Sequence, residues 1–130
     1  MARALVVDDS SAVRAYHAEI LRGEGFEVEV ADNGYEGLER FMEGGFDLLL
    51  VDVNMPRMHG YDFIREVRRT PEGKKVSIIV ISTRASSRDS LEAFKAGADL
   101  YLVKPVDPAE LQAVCRMVVG QRGGGAHGGK

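Results

Sequence analysis

Paired aspartates stand at positions 8 and 9, a third aspartate at 52, a serine at 82 and a lysine at 104. Each ends or directly follows a short apolar run: residues 4–7 before Asp8, 47–51 before Asp52, 76–81 before Ser82 and 100–103 before Lys104. If the first and third runs are neighbouring strands, three carboxylates converge on one pocket. Carboxylates that close repel, so the pocket requires protons or a cation. Oxygen-only donors at a phosphate-handling site favour magnesium, which takes one or two carboxylates and keeps several waters. Lys104 offers a mobile ammonium as a point charge for an anion. Ser82 offers a hydroxyl that can bond a phosphoryl oxygen. Taken singly, each has a plainer use, the aspartates as helix N-caps, the serine in a turn and the lysine on the surface. The signal is the set, because every strand end except the second carries one member.

The elements that must hold this set are legible in the spacing. Residues 48–51 and 78–81 are continuously apolar, as expected of strands covered on both faces. Residues 26–30 alternate, which suits a strand nearer an edge. Between the runs lie helical stripes: Val13, His17, Ile20 and Leu21; Leu38, Phe41 and Met42; Ile64 and Val67; Leu91 and Phe94; Leu111, Val114, Cys115 and Val118. Asp107, Pro108 and Glu110 form an N-terminal helix signature, and Gly23, Gly44 and Gly97 fall where helices should stop. Five strands alternating with five helices predict an α/β fold, an open parallel sheet with helices on both faces. Ligands of such sheets bind beyond the carboxyl ends of the strands, where the polar set lies.

The 130 residues fit one domain, with 45% hydrophobic and 28% charged residues, the balance of a globular chain. A net charge of -3 gives no basic footprint, so direct nucleic-acid contact is not expected. No apolar run approaches membrane-spanning length, and the first residues lead straight into a strand, leaving no room for a signal peptide. The single cysteine, Cys115, excludes an internal disulfide and agrees with a reducing, cytoplasmic setting. The chain divides into a domain over residues 1–120 and a flexible glycine-rich tail over 121–130.

The segments Leu5-Val6-Val7-Asp8-Asp9-Ser10, Val51-Asp52-Val53-Asn54-Met55-Pro56, Ile81-Ser82 and Lys104-Pro105 resemble the receiver domain of bacterial two-component response regulators, chemotaxis type, over about residues 3–119. The separations of 30 positions from Asp52 to Ser82 and 52 to Lys104 agree with it. The resemblance implies a flavodoxin-like doubly wound sheet of strand order 2-1-3-4-5. It implies that Asp52 accepts a phosphoryl group from a sensor histidine kinase or a small phosphodonor. Asp9, Asp52 and the carbonyl of Asn54 are then the magnesium ligands, with Asp8 acting largely through water. Lys104 pairs with the carboxylate and later with the phosphoryl group, across a cis bond to Pro105. Ser82 and Tyr101 form the switch, read by an output protein or domain at the face of the fourth helix, fifth strand and fifth helix. The protein is thus expected to be a signalling switch that catalyses only its own magnesium-dependent phosphorylation and dephosphorylation.

Some positions depart from the usual pattern. Thr83 stands where a smaller residue is common, either narrowing access to the phosphate or simply packing at the strand end. Arg84 and Asn54 hold positions that tune aspartyl-phosphate hydrolysis in relatives. His59 precedes Gly60 where an acidic or small polar cap is frequent, and it carries no expected catalytic role. A haloacid-dehalogenase-type phosphatase also forms an aspartyl phosphate at a strand end. It needs a second aspartate two residues later as general acid, and Asn54 stands there instead. Residues 124–130 fit the glycine and lysine spacing of a P-loop but lack its hydroxyl residue, strand and helix. The chain reads either as a stand-alone receiver or as the input domain of a larger regulator.

Overall fold

The computed structural model describes residues 2–53, 55 and 58–127, with backbone alone from residue 119 onward. Its strands are β1 (Arg3–Val7), β2 (Glu27–Ala31), β3 (Leu48–Asp52), β4 (Ser77–Ser82) and β5 (Leu100–Val103). The helices between them are α1 (Ser11–Gly23), α2 (Gly34–Phe41), α3 (Gly60–Arg69), α4 (Ser87–Ala96) and α5 (Pro108–His127), with a short 3-10 turn at Glu72–Lys74. All four strand pairings are parallel, in the order β2-β1-β3-β4-β5. The expected doubly wound sheet is therefore present.

The sequence explains the layering. β3 and β4 are buried at every position, as continuous apolar runs covered by helices on both faces must be. One sheet face packs Leu5, Leu49 and Ile78 against Phe63, Ile64 and Val67 of α3 and Ala93 and Ala96 of α4. The other packs Val6, Leu50 and Ile79 against Ile20 and Leu21 of α1 and Leu111 and Cys115 of α5. At the β2 edge, Glu27 and Glu29 ion-pair with Arg3 and Arg40, keeping that strand's outer side charged.

Caps start the helices where the chain turns from the sheet. Ser10, Asn33, His59 and Ser86 each accept a backbone N–H of the first turn with a side-chain atom. His59 is thus a capping residue, its Nδ1 accepting from the Tyr61 N–H at 3.2 Å. Asp107 accepts from the N–H groups of Ala109 and Glu110 at the start of α5, as expected.

Two expectations are corrected. Leu91 and Phe94 do not face the core; they are 52% and 46% exposed, and α4 buries Ala93 and Ala96 instead. Two alanines bring the helix close to the sheet, and the larger side chains then point outward. Met42 is also outside the core, 61% exposed at the C-cap of α2. The backbone of α5 runs to His127. Each glycine there costs about 1 kcal/mol relative to alanine, but a helix already nucleated gains a hydrogen bond with every residue added.

Candidate phosphoryl-accepting site

The site is built by ladder register. Val7 of β1 pairs with Val51 of β3, so the next residues, Asp8 and Asp52, leave the sheet side by side. Asp52 is the last residue of β3, opposite Ile81, and Ser82 ends β4 opposite Val103. Lys104 follows β5 and its N–H donates to the carbonyl of Ser82 at 2.7 Å. The Lys104–Pro105 bond is cis. Lysine and serine are therefore tied through the backbone as well as sharing an edge.

The carboxylates of Asp8, Asp9 and Asp52 place oxygens within 4.8 Å of one another. Asp8 and Asp52 are buried, while Asp9 is exposed at the mouth. Lys104 Nζ donates to Asp8 Oδ2 and to Asp52 Oδ1, both at 3.2 Å. Asp8 is held in place by a local turn, its Oδ1 accepting from the Ser10 N–H at 2.9 Å. Arg14 donates to the Asp8 carbonyl at 2.7 Å, anchoring the same residue from α1.

Charge balance makes this a site poised for a cation. Burial first, and then the charge of Asp8, raises the Asp52 pKa from 3.8 to about 6, against the pull of Lys104 and with a further push from Asp9. For Lys104, burial pulls the pKa down, but the charges and hydrogen bonds of Asp52 and Asp8 outweigh it and the net direction is up. One ammonium thus faces three carboxylates. An all-oxygen donor set with excess negative charge can hold a divalent metal. The expected contribution of Asn54 lies outside the described residues.

Ser82 is fully buried, and its Oγ accepts from the Arg84 N–H at 3.1 Å. Tyr101 is partly buried, and its hydroxyl donates to the Arg84 carbonyl at 2.7 Å. The two expected switch residues thus meet on one backbone unit, that of Arg84. Thr83 and Arg84 are exposed on the loop after β4, and Arg84 reaches Asp89 at 4.0 Å.

Two features of the site escape sequence reading. His17 is 3% exposed on α1; burial lowers its pKa, with Asp8 raising it and Lys104 lowering it. Its place in an apolar stripe gave no sign of electrical contact with the site. Gly60 packs onto the end of β3 so closely that a Cβ there would stand 2.6 Å from the Asp52 carbonyl oxygen and 2.8 Å from the Val53 Cα. The Gly60 N–H also donates to the Val53 carbonyl at 2.9 Å. Gly60→Ala is therefore expected to push α3 off β3, costing about 1–3 kcal/mol and displacing Asp52. Urea melts paired with phosphate-incorporation rates check this; full stability with unchanged incorporation contradicts it.

A doubly wound sheet with acids at the carboxyl ends of β1 and β3 and a lysine after β5 defines a class of phosphoryl-handling domain. Residues 4–116 match the response regulator receiver domain, and the chain belongs to that family. It is 36% identical over 109 residues to the chemotaxis protein CheY-3 of Vibrio cholerae, covering 83% of this chain and 84% of that protein. It is 37% identical over 102 residues to the gliding motility regulatory protein of Myxococcus xanthus, covering 78% of this chain but 13% of the relative. The chain spans about half the length or less of several transcriptional regulators it also matches. Among solved structures, it is similar to the receiver domain of the sensor histidine kinase PA1611 from Pseudomonas aeruginosa. That likeness has a TM-score of 0.85 and 28% identity, covering 92% of this chain and 98% of the other, whose active-site cleft coordinates magnesium.

Proposed function

We propose that Asp52 accepts a phosphoryl group from the phosphohistidine of a sensor kinase, or from a small phosphodonor, and that the modified domain changes a protein-binding face. The observation that carries this is the geometry at Asp52: a buried carboxylate at a strand end, beside two further acids and bonded to Lys104. An oxygen lone pair of Asp52 attacks phosphorus in line with the scissile P–N bond. That bond's electron pair leaves with the donor imidazole, which is neutral once protonated. Lys104 follows the developing charge on the equatorial oxygens, a role that needs positioning more than covalent chemistry. Asp8, Asp9 and Asp52 would hold magnesium, with the Asn54 carbonyl as a further ligand, and the bound ion supplies charge neutralisation to the transferring group.

A phosphoryl group adds charge and acceptor oxygens beside Ser82. The Ser82 hydroxyl turns toward it, gives up the Arg84 N–H, and so loosens the backbone unit that Tyr101 holds. The face of α4, β5 and α5 then shifts its population. Support for that face comes from Leu91, Phe94 and Val103, all more than 40% exposed on α4 and β5. Large apolar side chains left in water there suit a protein partner. The chemistry is confined to the domain's own phosphorylation and hydrolysis, with Arg84, Thr83 and Asn54 setting the lifetime. The reading is of a cytoplasmic protein; among the described residues no helix is long and apolar enough to cross a membrane.

Incubation with radiolabelled acetyl phosphate and magnesium should label the wild-type chain in acid-stable, hydroxylamine-labile form, and Asp52→Asn should take up no label. Undiminished labelling of that variant would place the acceptor elsewhere.

A further inference from the structure

The segment from Ser82 into α4 is held by two phenols rather than one. Tyr101 donates its hydroxyl to the Arg84 carbonyl from β5 at 2.7 Å. From α3, Tyr61 in the first turn donates its hydroxyl to the Asp89 carbonyl at 3.0 Å. The stretch between those two carbonyls is stitched internally. Ser86 caps α4 at the Asp89 N–H, its Oγ also bonds Asp89 Oδ2, and Arg84 reaches the same carboxylate. Tyr61 is itself fixed at its base. Its N–H donates to His59 Nδ1, and its ring lies 4.9 Å from the His59 ring, on the loop that follows Asp52. A chain of direct contacts therefore runs from the acceptor's own loop through Tyr61 to the start of α4.

We propose that Tyr61 is a second latch on the β4–α4 segment, a positioning residue whose hydroxyl sets how readily the Ser82–Tyr101 switch moves. The inference rests on the reading of Ser82 and Tyr101 as the switch pair. A segment stitched from Arg84 to Asp89 moves as a unit, so displacement begun at Ser82 must break or carry both phenol bonds. The Tyr101 bond lies on the path of the switch. The Tyr61 bond does not, and it acts as a threshold against which phosphorylation works. Because Tyr61 stands on α3, directly behind the loop that follows Asp52, the same residue can sense displacement of that loop.

Tyr61→Phe removes one oxygen and leaves the ring. Amide hydrogen exchange on the unphosphorylated full chain should quicken roughly three- to tenfold at the hydrogen-bonded Arg84, Asp89 and Ser90 amides, the range expected for losing one hydrogen bond from a local opening. The change should reach the Arg84 amide at the far end of the segment, while the β1 amides, a control for the global fold, stay unchanged. Tyr101→Phe should quicken the same set. Acceleration confined to Asp89 and Ser90, or none at all, would overturn the proposal. With 3-fluorotyrosine at the four tyrosines, beryllofluoride and magnesium should move the Tyr101 resonance in the wild type. In Tyr61→Phe that resonance should already be partly moved before the phosphoryl mimic is added. A wild-type Tyr101 signal indifferent to beryllofluoride sinks the switch reading, whereas a responsive signal left unshifted by Tyr61→Phe sinks the latch alone.

Discussion

Asp52→Asn should make the chain more stable at neutral pH at the same time as it abolishes phosphoryl acceptance. In the native fold the Asp52 carboxyl is raised from 3.8 to about 6 by burial and by Asp8. A carboxyl raised on folding holds its proton more tightly in the folded state. Below about pH 4 both states are protonated and the group costs nothing. As pH rises to about 6 the unfolded chain has lost its proton while the folded chain keeps it, so stability falls, and above that the penalty stays constant. The full shift corresponds to about 3 kcal/mol. Asparagine removes the charge, keeps an oxygen for Lys104, and leaves Lys104 paired with Asp8 at 3.2 Å. A gain of about 1–3 kcal/mol at pH 7 is expected, shrinking to nothing by pH 4. Urea melts of both proteins in a chelator, at pH steps from 4 to 8, measure it. A variant less stable than the wild type at pH 7 would mean that Asp52 is held by interactions its charge is needed for.

The opposite sign is expected for Lys104→Met. Methionine fills much of the lysine's stem volume but leaves two buried carboxylates facing each other without the ammonium between them. Removing one member of a buried pair costs about 3–5 kcal/mol when the orphaned charge cannot escape. Here it can, because Asp52 already titrates near 6 and would take up a proton. A loss of about 1–3 kcal/mol at pH 7 without divalent cations is therefore expected, diminishing as pH falls through 6. Lys104 has a raised pKa, so its own ionisation does not limit the pair at neutral pH. Phosphoryl uptake should drop on the order of a hundredfold, the usual scale for removing one preorganised donor from a developing charge. Stopped-flow or quench measurements with acetyl phosphate, beside melts with and without magnesium, separate the two effects. Normal uptake in a folded variant would remove Lys104 from the transfer step.

The sheet and the polar set were legible because both depend on short-range pattern. Continuous apolar runs fixed β3 and β4 as central strands, and polar residues at every strand end except the second pointed to a single edge. Register then did the rest, since Val7 opposite Val51 puts Asp8 against Asp52. What was illegible depends on which of two faces is smaller, or on single atoms. Leu91 and Phe94 looked like the core stripe of α4, but close approach to the sheet selected Ala93 and Ala96. No periodicity distinguishes those outcomes, since both faces are apolar. Gly60 gave no sign that its missing side chain makes room for the Asp52 backbone. Tyr61 read as an ordinary helical aromatic, and its hydroxyl's partner lies 28 positions away.

Lys104 bonds Asp8 across 96 positions of sequence and Asp52 across 52. A nascent chain presents Asp52 at the end of β3, well before the strand that delivers Lys104 exists. Until β5 docks beside β4, the early aspartates form an acidic edge without its ammonium, and on the proposed reading phosphoryl transfer there is slowed on the order of a hundredfold. On the proposed reading, full competence to receive a phosphoryl group thus comes only with a finished sheet. On the proposed reading, a half-assembled copy takes up phosphoryl groups poorly and so draws few of them away from intact ones.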